Sequence, residues 1–354
     1  MFGARIPIVQ APMAGVQGAA LCAAVCQAGG VGSLPAAMMT LDQLAGEITA
    51  VRAQTDAPFN VNFFAHRTPQ EDADRTARWL ARLRPYYEEA GLDPAALPKG
   101  PGRAPFDEAA CRLVEELKPP IVSFHFGLPD EAMLARVRAS GARIWGCATT
   151  VAEARWLDAH GVDAIIAQGA EAGGHRGMFL SDDIDAQPGL FALTPQVVDA
   201  TRVPVIAAGG VADGRGVAAA LALGAKAVQI GTAYLLSPQA TTSPLHRAAL
   251  KAARDDATRM TNLYTGRPAR GALTRFMQEV GPMNADAPAF PLATGFSAPL
   301  RAAAEARGSS DFSPLWSGQA AALASETDAG ILTQRLWRDA QIVMRALSEA
   351  GAPA

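Results

Sequence analysis

The sequence predicts an α/β chain folded as a (β/α)8 TIM barrel with an added helical cap subdomain, on three observations. Eight short apolar runs, many of them β-branched, alternate with alanine-rich helical segments. The runs are apolar on both alternations, which suits strands covered on both faces, as in a parallel sheet. The chain has 354 residues, enough for one large domain with an appendage. A doubly wound open sheet is the alternative, because periodicity does not report closure.

In chain order, the first run is Ile6–Met13, and the helical stretch "AALCAAVCQAGG" after it ends at a glycine pair, a common helix stop. Gly30–Leu34 follows, then "TLDQLAGEITAVRAQT", with Thr40 as its N-cap, then Phe59–Phe64. Residues 65–118 are too long for one crossover; they hold a charged helix, "EDADRTARWLARLRPYYEEAG", and the Pro/Gly-rich loop "PKGPGRAP". Next come Ile121–Gly127 and Arg143–Thr150, where Thr150 and Glu153 read as a capping box for "TVAEARWLDAHG". Asp163–Gly169, Val203–Gly210 and Ala227–Leu235 complete the eight, the last two linked by "DGRGVAAALALG". Residues 1–235 therefore read as the barrel. Residues 236–354 read as helices and loops without a further strand, placed to cap the barrel mouth and pack back on the barrel.

Hydrophobic residues make up 49% and charged ones 18%, so a large core is expected and disorder is not. A net charge of −3 without a long basic run argues against nucleic acid or an anionic membrane as partner. The start "MFGARIPIVQAPMAG" lacks the basic, then apolar pattern of a signal peptide. No run reaches the roughly 18 apolar residues of a spanning helix. A cytoplasmic protein is expected. Cys22, Cys26, Cys111 and Cys147 are too few for a disulfide scaffold, and no ligand set completes a metal site around Cys22 and Cys26.

In such barrels the chemistry sits at the carboxyl ends of the strands. Gly209 and Gly210 follow one run, and Gly231 and Thr232 the next. Glycines let main-chain N–H groups approach an anion, and these two loops are where barrels commonly hold phosphate. No G-x-G-x-x-G opens a helix after a strand, and no Walker lysine follows a glycine loop. A mononucleotide such as FMN suits this pattern better than a dinucleotide. The stretch "QGAEAGGHRG" (168–177) puts glycines 169, 173, 174 and 177 around His175, which reads as main chain made flat for a planar ligand. Gln168 can offer its amide to the flavin edge, and His175 can accept a carbon-bound proton or hold an anion. His125, at the end of its strand, is the second candidate, although strand histidines are more often packing. His66 and His160 read as structural or solvated, and His246 receives no role.

Together, "PIVQAPMAG", "SFHFG", "QGAEAGGHRG" and "AAGGVADGRGVAAALALGAKAVQIGTAYL" resemble the nitronate monooxygenase family, formerly 2-nitropropane dioxygenases, in its class I form. "TGRPARG" and "FSPLWSGQAA" are also similar to that family. The resemblance implies FMN-dependent oxidation of alkyl nitronates, usually propionate 3-nitronate, by O2 to a carbonyl compound and nitrite through a flavin semiquinone. It also implies that Met13, Ala14, Gly15, Asn62, Gln168, Gly173, Gly174, Gly209, Gly210, Gln229, Ile230, Gly231 and Thr232 bind FMN. His175 would be catalytic and His125 substrate-binding. One departure is visible: 286–304 lacks the Tyr and Lys expected to clamp the nitronate in some bacterial relatives, and Arg301 is its only cation. The implied partners are a small anionic nitronate and O2, with a homo-oligomer left open. An NAD(P)H-dependent FMN reductase acting on quinones or enoyl thioesters, and a non-catalytic flavin- or phosphate-binding module, are the alternatives.

Overall fold

The computed structural model describes residues 2–94 and 103–350, so most of the "PKGPGRAP" loop lies outside the described residues. In chain order the strands are β1 (Ile8–Gln10), β2 (Gly32–Pro35), β3 (Phe59–Phe64), β4 (Ile121–His125), β5 (Arg143–Ala148), β6 (Ala164–Gln168), β7 (Gly174–His175), β8 (Val205–Ala208), β9 (Ala227–Ile230), β10 (Thr258–Thr261) and β11 (Ala269–Ala272). Eight of them form one parallel sheet in the order β1-β9-β8-β6-β5-β4-β3-β2. A parallel bridge between Val9 and Val31 joins its two ends. Gln10 N donates to Val31 O at 2.8 Å, and Val31 N donates to Ile8 O at 2.9 Å. The sheet is thus a barrel and not an open doubly wound sheet, and every one of the eight predicted runs supplies one of its strands.

Several polar side chains inside the barrel bond to one another, although Asn60 Oδ1 is buried without a partner. Ser33 Oγ donates to Gln10 O at 2.6 Å, Ser33 N donates to Gln10 Oε1 at 3.0 Å, and Asn60 Nδ2 donates to Ser33 Oγ at 3.1 Å. All three residues are fully buried, and the network ties β1, β2 and β3 to one another.

The helix Leu41–Arg52 begins at Thr40 with a complete capping box to Gln43. At Thr150 the box is only half made. Thr150 Oγ1 accepts from Glu153 N, but the buried Glu153 carboxylate accepts instead from Thr149 and from the main chain of Phe179 and Leu180. Its longer-range partners win because they carry the loop beyond His175.

The long insertion and the post-barrel region share one hydrophobic cluster. The helix Ala73–Ala90 buries Trp79, Leu83 and Tyr87, four residues apart on one stripe, among Leu263, Tyr264, Phe276, Leu300 and Phe312. The final helix, Ala329–Ala350, returns to the barrel. Its Leu332, Leu336 and Ala340 pack with Val217, Ala218 and Leu21. A Cβ on Gly214 would lie 2.5 Å from Ala340 N, so these two helices cross at glycine.

The expectation of a purely helical region after residue 235 is incorrect. β10 and β11 form an antiparallel pair, and β11 extends to β7, matching Ala269 with His175 and Arg270 with Gly174. Neither "TRMT" nor "ARGA" alternates apolar and polar residues. They are strands because they pair with each other and because β11 pairs with β7 from more than 90 residues away, which periodicity does not register.

Gly32 sits where β2 passes the helix Ala19–Gln27, and a Cβ there would lie 2.1 Å from Cys22 O, whereas one on Gly46 meets nothing within 4 Å. Gly32→Ala should therefore destabilise by about 3 kcal/mol or more, while Gly46→Ala should stabilise by about 0.5–1 kcal/mol. Denaturant unfolding of both variants measures the contrast.

Candidate active site

A cavity of about 370 Å³ opens at the carboxyl ends of the strands and is walled by residues from all eight barrel strands or the loops that leave them. Met13, Ala14, Gly15, Asn62, His125, Gln168, Gly173, Gly174, His175, Gly209, Gly210, Gln229, Gly231 and Thr232 all line it. Ile230 does not. Side chains alternate along a strand, so Gln229 and Gly231 face the cavity while Ile230 is turned outward into the cluster with Tyr234 and Leu336.

The 168–177 loop is held by its own side chains. Gln168 Nε2 donates to His175 O at 3.0 Å, and Gly177 N donates to Gln168 Oε1 at 2.8 Å. His125 Nε2 lies 3.1 Å from the same His175 carbonyl, so that nitrogen carries the proton and donates. Arg176 is fully buried and donates from Nη1 to Gly169 O at 2.7 Å, from Nη2 to Gln168 O at 2.8 Å, and from Nε to Gln187 Oε1 at 2.7 Å. The Gln168 amide expected at a flavin edge is thus largely committed to the loop.

The loop glycines also differ from expectation. A Cβ on Gly169 would lie 2.5 Å from Leu190 N, on Gly173 2.5 Å from Gly318 N, and on Gly177 2.6 Å from Cys147 Sγ. Three of the four therefore admit protein atoms; only Gly174, at φ +73°, has open space beside it. The segment that crowds Gly173 is "FSPLWSGQAA": Gly318 N donates to Thr232 Oγ1 at 3.0 Å and Gln319 N donates to Glu171 O at 3.0 Å.

From this frame the His175 ring meets Phe290 at 5.3 Å, Trp316 at 5.4 Å, Phe126 at 6.1 Å and Phe64 at 6.2 Å between centroids. Its Nε2 is 2.9 Å from Thr265 Oγ1, a residue of "TGRPARG". Burial, then the charge of Arg103, with smaller contributions from His125, Arg267 and His66, holds this imidazole well below its ordinary pKa. Burial likewise lowers His125, His66 and His246 to about 4. The Cys147 thiol on the cavity wall is pushed up to about 12 by burial and stays protonated.

His160 is stacked on Trp156 at 3.7 Å, outside the cavity, and His66 packs edge-on to Phe290 at 4.8 Å. His246, which had received no role, lines the cavity, its Nε2 3.2 Å from Trp316 O. Arg103, Arg301, Glu305 and Trp316 were also missed as site residues. The similarity of "TGRPARG" and "FSPLWSGQAA" to a flavoenzyme family was the available signal for the residues that close over the loop; Arg103 had none. Among the described residues no group of three or more His, Cys, Asp or Glu side chains is placed to hold a metal, and no helix is long and apolar enough to cross a membrane.

A family model described as nitronate monooxygenase matches residues 1–339. The chain belongs to the nitronate monooxygenase family. It is 43% identical to a nitronate monooxygenase of Paraburkholderia phytofirmans, over 96% of this chain and 93% of that one. It is 42% identical to one of Pseudomonas aeruginosa, over 95% and 96%. A solved nitroalkane oxidase from Streptomyces ansochromogenes superposes with a TM-score of 0.89 at 40% identity, covering 98% of both chains. FabK from Thermotoga maritima follows at a TM-score of 0.74 and 26% identity, covering 98% of this chain and 96% of that one. Nitronate monooxygenases are FMN-dependent oxidoreductases that use O2.

The cavity fits that cofactor. Gln229 Oε1 is buried in the wall with no hydrogen-bond partner, an acceptor suited to a flavin or ribityl donor. Gly209 and Gly210 turn with φ +119° and +67° directly after β8, leaving main chain and no side chain at the cavity edge. The helix Gly214–Ala222 is not a free anion site, because Asp213 already accepts from Arg215 N and Gly216 N. A phosphate would therefore be met by the glycine loops.

The buried histidines make stability depend on pH in one window. His66, His125 and His246 titrate at about 4 when folded against about 6.5 when unfolded, so between those values the unfolded chain binds more protons. Stability should be level above pH 6.5 and decline from there toward pH 4, before most carboxylates protonate. Urea midpoints measured from pH 7.5 to 5 test this; a level profile across that range would show the imidazoles to be solvated.

Proposed function

We propose that this chain oxidises small alkyl nitronates such as propionate 3-nitronate with His175 as the catalytic residue, His125 beside the substrate, and FMN held by the strand-end residues. Met13, Ala14, Gly15, Asn62, Gly209, Gly210, Gln229, Gly231 and Thr232 would hold the cofactor, with Gln168, Gly173 and Gly174 shaping the loop against it. Bound FMN supplies the redox centre from which electrons pass to dioxygen. His246, Arg301, Glu305 and Trp316 from beyond the barrel, with Arg103 of the insertion, complete the cavity wall and shield it from bulk water.

The observation that carries this reading is that the His175 imidazole lines the same cavity as the guanidinium of Arg103, its pKa lowered by burial and by that charge. One His175 nitrogen is engaged by Thr265, and Nδ1 has no protein partner among the described residues. A neutral ring can accept the α-proton of a nitroalkane, leaving the nitronate, or donate a hydrogen bond to a nitronate already formed. Negative charge on the substrate is then met by guanidinium and not by imidazolium. A nicotinamide-driven reductase is the competing reading, supported by the likeness to FabK.

Purified protein should be yellow and should release nitrite from propionate 3-nitronate in air without nicotinamide. Rapid anaerobic bleaching by NADH would instead favour the reductase. His175→Ala should lower kcat by about 10²-fold or more, while His160→Ala, remote from the cavity, should stay within about twofold. Equal losses in the two variants would remove His175 from the mechanism.

A further inference from the structure

The arginines around the cavity are not equivalent. Arg176 is fully buried and its Nε and both terminal nitrogens are spent on the loop carbonyls and Gln187. Arg267 lies over the Phe126 ring at 4.2 Å, donates to Met178 O, and does not line the cavity. Arg301 lines it, but its Nε donates to Glu305 Oε1 at 2.8 Å. Arg103 alone of these four lines the cavity and has no carboxylate partner among the described residues. The undescribed segment beside it, 95–102, contains no Asp or Glu.

The position of Arg103 is built from three directions. Phe106 N donates to Phe64 O at 2.7 Å, tying the end of the insertion to the end of β3, whose Phe64 packs on His175. Arg103 Nη1 donates to Thr294 Oγ1 at 2.9 Å, at the start of the helix Ala293–Ala306. Its Nη2 lies 3.8 Å from Met38 Sδ on the opposite wall. Burial and the charge of Arg301 lower its pKa to about 10, so it remains charged at neutrality. A half-desolvated cation without a counterion is unfavourable until an anion arrives, and a guanidinium presents parallel N–H groups that match two oxygens in one plane.

We propose that Arg103, contributed by the insertion between β3 and β4, is the specificity-determining residue that binds a planar oxyanion of the substrate. The proposal rests on the nitronate-oxidising reading above. It assigns to the insertion the clamp that the segment 286–304, without Tyr or Lys, does not supply. The shared chemistry is two coplanar oxygens carrying one negative charge, present in the nitronate group itself and in a carboxylate elsewhere on the same substrate.

The test uses the flavin-loaded enzyme and its Arg103→Gln, Arg103→Lys and Arg301→Gln variants. Ethyl nitronate and propionate 3-nitronate are the substrates, and inorganic nitrite, followed through the flavin absorption spectrum, is a non-turnover probe. Arg103→Gln should raise KM about 10- to 100-fold with a smaller change in kcat, and weaken nitrite binding by a similar factor. Arg103→Lys should recover part of the loss, which separates a missing charge from a folding defect. Arg301→Gln should change KM less, its charge being already compensated. A rise for both substrates places Arg103 on the nitronate group, and a rise for propionate 3-nitronate alone places it on the carboxylate; either supports the assignment. Unchanged KM for both substrates with unchanged nitrite affinity overturns it. If the unmodified enzyme releases nitrite from neither substrate, the functional reading fails instead, and the nitrite titration alone decides Arg103.

Discussion

The site depends on how one glycine-rich loop is held from both sides. On the barrel side, Gln168, His125 and Arg176 bind its carbonyls and amides, so the strand-end side chains serve the backbone of the loop before they serve any ligand. On the outer side, β11 pairs with Gly174 and His175 as a third strand. A two-residue strand has no stability of its own. It persists because it pairs with β11, because His175 O accepts from Gln168 and His125, and because glycines 169, 173 and 177 let neighbouring atoms approach closely. His175 is then oriented by Thr265 and by four aromatic rings, and its direction belongs to the whole cap.

This arrangement explains why the insertion and the post-barrel region are joined. Trp79, Leu83 and Tyr87 from one pack with Tyr264, Phe276 and Phe312 from the other, which places Thr265 and Trp316 over the loop. Neither segment could bury that apolar surface alone. Their shared cluster converts two additions to a barrel into one lid over its mouth, with Asp286 receiving Arg78 and Arg82 at the rim.

Electrostatically, the cavity separates two tasks that a single histidine could in principle combine. Burial and nearby guanidinium groups keep the imidazoles of His125 and His175 neutral, available for proton acceptance or hydrogen bonding. Positive charge is supplied by arginines, which titration cannot remove at physiological pH.

What the sequence alone determined follows from local order. Strands buried on both faces read as apolar runs, and all eight barrel strands were legible for that reason, as were the Thr40 cap and the glycine turns at the ends of β8 and β9. The His175 loop was legible from its composition, and His125 from its place at a strand end. Tertiary structure decided the rest. β7, β10 and β11 have no periodic signal: β10 and β11 form a local antiparallel pair, and β7 is a strand only because β11 pairs with it from more than 90 residues away. Ile230 was read into the site from a contiguous motif, and only the alternation of β9 turned it into the core. His246 and Arg103 reach the cavity from segments that give no sequence signal for it, and Trp316 from one marked only by its similarity to the family. A side chain's burial, charge and partners are set by which distant elements pack around it, and that information is written in contacts and not in spacing.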